Sequence, residues 1–348
     1  MNVITRLSAE ERADIFTQTS AELGLPPFFI EKDFWVCWTL QSLFGDPELQ
    51  SHLTFRGGTS LSKAWQCIER FSEDIDIAMN RQWTGLPPAN EPSQASLTAK
   101  QVDKHLSALR KYSRAIITET LQPKLQKTLQ DTLGNREAWS LIPGDLTNER
   151  DPFTLHLHYP QCGFTSVDDY NQPRVKIELS ARARQEPMER RSIQPYAAQI
   201  LPAEHQAGLT AQVNCVTPRL TFWEKTALLH EQHVRPAPEG EPEKGPAMHQ
   251  ARHLYDLHRL WTHHGLHQDA TLTELLPTVV QHRQTFFAYK WVDYNKLTLD
   301  KLVLMPPESR MAAWREDYQR MRPMFFGEPP SFEEILQTLA QIQERFRA

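Results

Sequence analysis

The stretch GGTSLSKAWQCIERFSEDIDIAM, residues 57–79, joins a pair of glycines to a pair of aspartates. The glycine pair predicts a turn, and the apolar residues after it recur at helical spacing as far as Ile68. From Phe71 the pattern alternates, which predicts a strand with Ile75 and Ile77 facing the core. A turn, a helix and a strand are therefore expected to follow one another within this segment.

Two carboxylates lie on the polar face of the predicted strand. Because residues two apart in a strand share a face, Ser72, Asp74 and Asp76 point away from the isoleucines. Two like charges about 7 Å apart along a strand repel each other unless a positive charge lies between them. A bound Mg²⁺ would remove this repulsion, and nucleotidyl transfer commonly uses such ions. A solvated strand end without a ligand is the alternative.

The glycines indicate how a phosphate would be bound beside such a metal. Gly57 and Gly58 allow the backbone to approach an anion closely, and Thr59 and Ser60 are expected to cap the following helix. The N-terminus of that helix offers free N–H groups, and Lys63 lies one turn further on as a candidate phosphate ligand. A turn without a ligand is the alternative for each piece, but their order favours a nucleotide and metal site.

A third acid lies on a second predicted strand, RVKIELS, at residues 174–180. Apolar residues alternate there with Lys176 and Glu178, so Glu178 belongs to the polar face. Glu178 is a candidate third metal ligand or a general base for an attacking hydroxyl. An ion pair with Lys176 or Arg174 is the open alternative.

The composition is that of a globular chain with a core. Of the 348 residues 40% are hydrophobic and 23% are charged, and the net charge of −5 indicates no overall basic field for nucleic acid. The four cysteines lack the paired spacing of a zinc site or a disulfide framework. The N-terminus lacks the apolar core of a signal peptide, and no apolar run reaches membrane-spanning length. We therefore expect a cytoplasmic protein that does not enter the membrane.

The pattern along the chain predicts two lobes. Residues 1–216 are expected to form an α/β lobe, in which Pro123 kinks or divides a long helix. Residues 217–348 are expected to be mainly helical, with a Pro-, Gly- and Glu-rich exposed loop at 235–248. The aromatic and basic segment 281–296 is interpreted as an amphipathic core helix, with RNA contact as the alternative.

Three motifs in order resemble the AbiEii/AbiGii family of nucleotidyltransferase-like toxins. They are GGTSLSK…ERFSEDIDI, TPRLTFWEKTALLHEQH and ARHLYDLHRL, spread over residues 57–260. The resemblance implies an α+β, polymerase-β-like nucleotidyltransferase fold, with a mixed-sheet lobe followed by a helical lobe. It also implies the toxin of a toxin–antitoxin system, with a cognate antitoxin protein as partner. Mg²⁺ and a nucleoside triphosphate would serve transfer of a nucleotide to RNA, above all the tRNA 3′ acceptor end.

The same resemblance assigns site residues. Ser72 and Asp74 match the essential Ser-x-Asp pair, and Asp76 completes the metal-binding acids. Lys225, in FWEKTALL, matches the lysine expected to hold the triphosphate. Asp256, in RHLYDL, matches the essential aspartate of the last motif.

Ion pairs are the alternative for the last two residues. Charged neighbours lie at helical contact distance: Glu224 and Glu231 near Lys225, and Arg252 and Arg259 near Asp256. In the interpretation that the resemblance favours, Asp256 orients Lys225 while the arginines bind phosphate or RNA. Arg70 precedes the acidic strand and is expected to balance its charge.

Two other functions remain open beside the RNA nucleotidyltransferase. The same acids would serve nucleotidyl transfer to a protein or small-molecule hydroxyl. A non-catalytic nucleotide- or antitoxin-binding module is the third hypothesis, and the presence of all the acids and Lys225 argues against it.

Overall fold

The computed structural model describes residues 1–135, 138–144, 153–166, 172–202, 206–236 and 245–347. The chain divides into two compact units. The first comprises Met1–Trp65 and Phe71–Val216, and the second comprises Gln66–Arg70 and Thr217–Ala348. The expected division into one domain at residues 1–216 and another at 217–348 stays a prediction.

The first unit combines helices with strands. Its helices are α1 (Asn2–Thr5), α2 (Ala9–Leu23), α3 (Pro27–Gly45), α4 (Pro47–Gln50), α5 (Gly57–Lys63), α6 (Ala99–Ile116) and α7 (Gln122–Leu133). Its strands are β1 (Leu53–Arg56), β2 (Ile75–Met79), β3 (Ser140–Pro143), β4 (Phe153–His158), β5 (Val175–Ser180), β6 (Met188–Ile193) and β7 (Ala211–Val216).

Within the described ranges these seven strands form one mixed sheet, in the order β3–β4–β5–β2–β1–β7–β6. The strand β2 pairs parallel with β5 and antiparallel with β1, and β1 pairs parallel with β7. The strands β4 and β5 are antiparallel neighbours. The expected mixed α/β architecture is confirmed.

Local sequence explains several boundaries. The helix α2 begins after Ser8, whose hydroxyl accepts from the backbone of Glu11 while the Glu11 side chain accepts from the backbone of Ser8. A π-helical turn at Ile117–Leu121 separates α6 from α7, so the long predicted helix is divided just before Pro123, as expected. Proline lacks the N–H that would continue the helical pattern, so the break lies just before it.

The helix α5 is shorter than the pattern indicated. It begins at Gly57 itself, so the glycines form the first turn of the helix instead of a separate turn. It ends at Lys63 and does not reach Ile68. Gln66 has a φ of +52°, a left-handed conformation in which an α-helix cannot continue.

The strand β2 begins only at Ile75, so Ser72 and Asp74 precede it. Ile75 and Ile77 are buried, as expected, and Asp76 lies on the opposite face. The prediction that all three polar residues lie within one strand is therefore wrong for the first two.

The second unit is mainly helical, as expected. Its helices are α8 (Pro218–His233), α9 (Arg252–Thr262), α10 (Leu276–Phe286), α11 (Met311–Arg320) and α12 (Phe332–Arg347). An aromatic cluster joins α8, α9 and α12, in which the ring of Phe346 lies 5.2 Å from Trp223 and 5.8 Å from Trp261.

Two expectations about the second unit have different outcomes. Most of the predicted exposed loop, residues 237–244, lies outside the described residues. The interpretation of 281–296 as one core helix is wrong, since α10 ends at Phe286 and the chain continues in turns. None of the helices in the described part of the chain has the length and apolar character needed to cross a bilayer.

Candidate active site

Gly57 lies against the carboxylate of Asp76. As the first residue of α5, Gly57 has a φ of +79°. A β-carbon at this position would come 2.0 Å from Oδ2 of Asp76. Any other residue would need both a strained backbone and a displaced carboxylate. The approach of Gly57 and Gly58 to a phosphate stays a prediction.

Thr59 ties α5 to the segment that precedes β2. Its hydroxyl donates to the backbone carbonyl of Asp74 at 2.6 Å and lies 2.9 Å from Ser72 Oγ. Thr59 and Ser60 are buried inside α5, so the prediction that they cap this helix is wrong. Because the helix begins earlier than expected, Arg56 occupies the N-cap position. The part of these hydroxyls in nucleotide binding stays a prediction.

Asp76 and Glu178 lie side by side on neighbouring parallel strands. They are partners in the register of β2 and β5, and their side chains share a hydrogen bond. Burial raises the pKa of Asp76 well above its usual range, Glu178 and Asp74 raise it further, and Arg56 opposes them. The crowding therefore disfavours the ionised form of the Asp76 carboxyl group.

Lys176 pairs with two of these acids. Its ammonium forms an ion pair with Glu178 and lies 3.7 Å from Oδ2 of Asp74. Glu178 thus makes the ion pair that the sequence left open. Its role as a metal ligand or general base stays a prediction.

The acids suit a hard divalent cation by their chemistry, although their side chains are not grouped around a common point. Among the described residues, no group of three or more His, Cys, Asp or Glu side chains is placed to hold a metal ion. Asp74, Asp76 and Glu178 offer carboxylate oxygens, the donors that Mg²⁺ prefers. Crowding by Glu178 and Asp74 adds to the effect of burial in raising the pKa of Asp76, and a divalent cation would offset that repulsion. The residues fit Mg²⁺ in donor type and charge, and binding by them stays a prediction.

Sequence reasoning missed three buried charges in α3. Glu31, Lys32 and Asp33 are each at most 3% exposed within a mainly apolar helix. Lys32 forms a buried ion pair with Glu73, the residue immediately before Asp74. A run of charges in an apolar helical stretch was the available signal, because buried charges need partners. This pair holds the backbone that leads into the candidate metal site.

Asp33 makes the second buried pair, with Lys63 of α5. The Lys63 ammonium lies 2.7 Å from Oδ1 of Asp33 and 3.7 Å from the ring centroid of Tyr196. Although burial opposes the charge, Asp33 raises the pKa of Lys63. Because Lys63 is committed to this pair, the geometry gives no support to its contact with a phosphate, which stays a prediction. Consecutive residues of α3 thus hold α5 and the segment before β2.

Asp256 is fully buried and binds two cations within the second unit. Arg70 contacts it through two bonds, Nε to Oδ1 and Nη2 to Oδ2, each 2.8 Å long. Nζ of Lys225 lies 2.8 Å from Oδ2 of Asp256. Although burial opposes ionisation, Arg70 and Lys225 hold the pKa of Asp256 well below its usual range.

These contacts bear on two expectations about ion pairs. The guanidinium of Arg70 is bidentate with Asp256, and its balancing of the acidic strand stays a prediction. Arg259, a predicted partner of Asp256, pairs with Glu69 at 2.9 Å. Sequence spacing favoured arginines on the same helix, whereas the partner comes from a distant part of the chain.

This buried cluster carries more positive than negative charge. Arg70 and Lys225 contribute two positive charges, and Asp256 contributes one negative charge. Nδ1 of His253 lies 3.2 Å from Nζ of Lys225, and it accepts because an ammonium can only donate. Burial and then Lys225 lower the pKa of His253 well below its ordinary value, so the ring is neutral. The excess positive charge suits an anion.

Comparison with protein families identifies the class to which this fold and these residues belong. The family described as nucleotidyl transferase AbiEii toxin, type IV toxin–antitoxin system, matches residues 38–338. The chain therefore belongs to the AbiEii family and is a nucleotidyltransferase toxin. Membership of a toxin–antitoxin family implies a cognate antitoxin.

No curated protein matches the chain. Among solved structures, MenT4, a nucleotidyltransferase toxin from Mycobacterium tuberculosis H37Rv, matches with a TM-score of 0.41 and 14% sequence identity. The match covers 97% of this chain and 99% of that chain.

Proposed function

We propose that the protein transfers a nucleoside monophosphate from a nucleoside triphosphate to the 3′ end of RNA, with the tRNA acceptor end as the favoured substrate. The proposal includes dependence on Mg²⁺, a polymerase-β-like arrangement and action in the cytoplasm. The block of tRNA charging that follows would stop translation.

The observation that carries the proposal is the pairing of Asp76 with Glu178 on neighbouring strands, in a chain of the AbiEii family. Carboxyl groups crowded enough to raise the pKa of Asp76 form a site that gains from added positive charge. Gly57 leaves room for the same carboxylate, because a β-carbon there would come 2.0 Å from Oδ2 of Asp76. A nucleotidyltransferase needs such a fixed group of acids to orient the reacting oxygens.

Each residue has a stated role in the proposed reaction. Asp74, Asp76 and Glu178 would hold Mg²⁺, which would offset the charge of the triphosphate and orient its oxygens. The segment from Gly57 to Ser60, with Ser72, would bind phosphate oxygens. Lys225 would bind the triphosphate, and the excess positive charge around Asp256 supports this role.

The proposed transfer has a simple balance of bonds. The 3′ oxygen of the RNA forms a bond to the α-phosphorus, and the bond from that phosphorus to the bridging oxygen of the β-phosphate breaks. The hydroxyl proton passes to a carboxylate of the acidic group, and pyrophosphate leaves with the electrons of the broken bond.

An RNA 3′-end assay tests the proposal. Purified wild type and Asp74→Ala would each be incubated with Mg²⁺, total RNA and one labelled nucleoside triphosphate at a time. We expect label at tRNA 3′ ends with the wild type, none with Asp74→Ala, and none after chelation of the metal. Sequencing of the 3′ ends would give the added nucleotide.

Other outcomes would redirect the proposal. Label found only in protein from an added lysate would replace the RNA acceptor with a protein hydroxyl. Equal growth arrest by wild type and Asp74→Ala on induced expression would remove the role of the acidic group in toxicity. Absence of transfer together with absence of nucleotide binding would favour a non-catalytic module.

A further inference from the structure

Two large aromatic rings are stacked on the surface of the second unit. Tyr289 is 41% exposed and Trp291 is 37% exposed, although both are large aromatic side chains. Their ring centroids lie 4.4 Å apart, with an interplanar angle of 24°. The guanidinium of Arg235 lies 5.1 Å from the centroid of the Trp291 ring. We call Tyr289, Trp291 and Arg235 the aromatic platform.

Hydrogen bonds that involve the buried residues Glu231 and Tyr294 hold the platform in its exposed position. Nε1 of Trp291 donates to the backbone carbonyl of Glu231 at 3.0 Å. The hydroxyl of Tyr294 donates to Oε1 of Glu231 at 2.9 Å and accepts from the backbone N–H of Tyr289 at 3.3 Å. Glu231 is only 1% exposed, and Arg283 binds it through both carboxylate oxygens. The exposed rings therefore stand on a rigid base, which reduces the entropy lost when a ligand stacks on them.

The charges around the platform favour an anionic chain as the ligand. Arg235, which contacts the Trp291 ring, is exposed, as is Lys290, which lies between Tyr289 and Trp291 in the sequence. The nearest acid along the sequence, Asp293, lies 3.3 Å from the ammonium of Lys296, so its charge is offset. Flat rings beside cations are the features with which proteins bind single-stranded nucleic acid, since bases stack while phosphates meet the cations.

We propose that the aromatic platform binds a single-stranded segment of RNA by stacking at least one base on its rings. Arg235 and Lys290 would contact the adjacent phosphates. This inference rests on the proposed function, since it supplies a site on the chain for the RNA acceptor. A protein partner such as the antitoxin is the competing occupant, and the test below separates the two.

Fluorescence anisotropy with a labelled 12-nucleotide oligoadenylate tests the platform directly. The proteins are the full-length wild type, the double variant Tyr289→Ala/Trp291→Ala and Met248→Ala. Met248 is 56% exposed in the same unit and serves as the matched control. We expect the double variant to bind RNA about tenfold or more weakly, because base stacking supplies much of such binding. Met248→Ala should bind like the wild type.

Two further variants separate stacking from general damage. Trp291→Phe keeps a ring, so we expect it to retain most of the affinity that Trp291→Ala loses. Arg235→Gln/Lys290→Gln should reduce the dependence of log Kd on log salt concentration by up to roughly 0.7 for each lost phosphate contact. Because the substituted residues are exposed, circular dichroism should show unchanged folding.

The outcomes distinguish this inference from the proposed function. A wild type that extends RNA, with a double variant whose KM for RNA is unchanged, overturns the platform alone. A wild type that neither binds nor extends RNA overturns the proposed acceptor as well. Unchanged RNA binding with loss of binding to the purified antitoxin would assign the platform to the protein partner and overturn the inference. A raised KM for RNA with an unchanged kcat supports it.

Discussion

The α-carbon of Gly57 lies so close to the Asp76 carboxylate that a β-carbon at position 57 would come 2.0 Å from Oδ2. The two residues belong to consecutive parts of the candidate site, since Gly57 starts α5 and Asp76 lies in β2. A glycine that looks suited to phosphate binding thus has a structural reason of its own. The position of Asp76 depends on the absence of a side chain at position 57.

Gly57→Ala should therefore abolish most of the nucleotidyl transfer. The added methyl group must displace the carboxylate, and a misplacement of about 1 Å at a reacting centre commonly lowers the rate roughly 100-fold. The measurement is RNA 3′-end labelling at saturating nucleotide. Gly45→Ala is the control, because a β-carbon there meets nothing within 4 Å. Equal activity of the two variants would contradict the role of this contact.

The buried ion pair between Lys32 and Glu73 should contribute strongly to stability. Lys32→Met leaves the Glu73 carboxylate buried without this partner, which should lower the free energy of unfolding by about 3–5 kcal/mol. Lys32→Met/Glu73→Met should recover much of that loss, since no buried charge is then left behind. Urea denaturation at neutral pH measures both effects.

The control for this pair is an exposed one. Lys127 and Asp131 are 76% and 61% exposed and form an ion pair one helical turn apart. We expect Lys127→Met to change stability by less than about 1 kcal/mol. If Lys32→Met were no more destabilising than Lys127→Met, the buried pair would not hold the segment before Asp74.

Alternation along the chain predicted the core of β2 and all of β5 because it depends only on neighbouring residues. It could not provide Arg70 as the partner of Asp256, since 186 positions separate the two residues. Lys32 and Glu73, which are 41 positions apart, were missed for the same reason. The candidate carboxylates were thus readable from local motifs, whereas the contacts that hold them came from the tertiary structure.

Variants at Lys225 and Asp256 should distinguish a loss of activity from a loss of stability. Lys225→Met removes one buried positive charge and leaves Asp256 bidentate with Arg70. Asp256→Asn instead leaves two cations without their carboxylate, which should lower the free energy of unfolding by about 3–5 kcal/mol. We expect Lys225→Met to unfold near the wild-type urea concentration and Asp256→Asn to unfold well below it.

Activity completes the comparison of these two variants. If Lys225 binds the triphosphate, Lys225→Met should lose roughly 100-fold or more of the transfer rate while remaining folded. The measurement is the initial rate of RNA labelling, beside circular dichroism of the same samples. A folded and active Lys225→Met would rule out that role for the lysine.

His233 should make the second unit sensitive to acid. It is 5% exposed, and its ring packs edge-on against Trp314 at 5.0 Å. Burial, followed by the nearby Arg310, lowers the pKa of His233 to about 3. This value lies below the ordinary value of about 6.5 for an unfolded chain. The contribution of the neutral His233 ring to the free energy of unfolding is therefore complete above pH 6.5. It is lost progressively as the pH falls from 6.5 towards 3, since only the unfolded chain gains the proton there.

The expected effect is large enough to measure by urea denaturation at pH 7.5 and pH 5.0. One proton contributes about 1.4 kcal/mol for each pH unit below 6.5, so this histidine should account for about 2 kcal/mol of the loss. His233→Phe keeps a buried ring and should reduce the loss between the two pH values by that amount. His264→Gln, at an exposed position, is the control and should lose stability as the wild type does. Equal losses in wild type and His233→Phe would show that His233 does not carry the acid sensitivity.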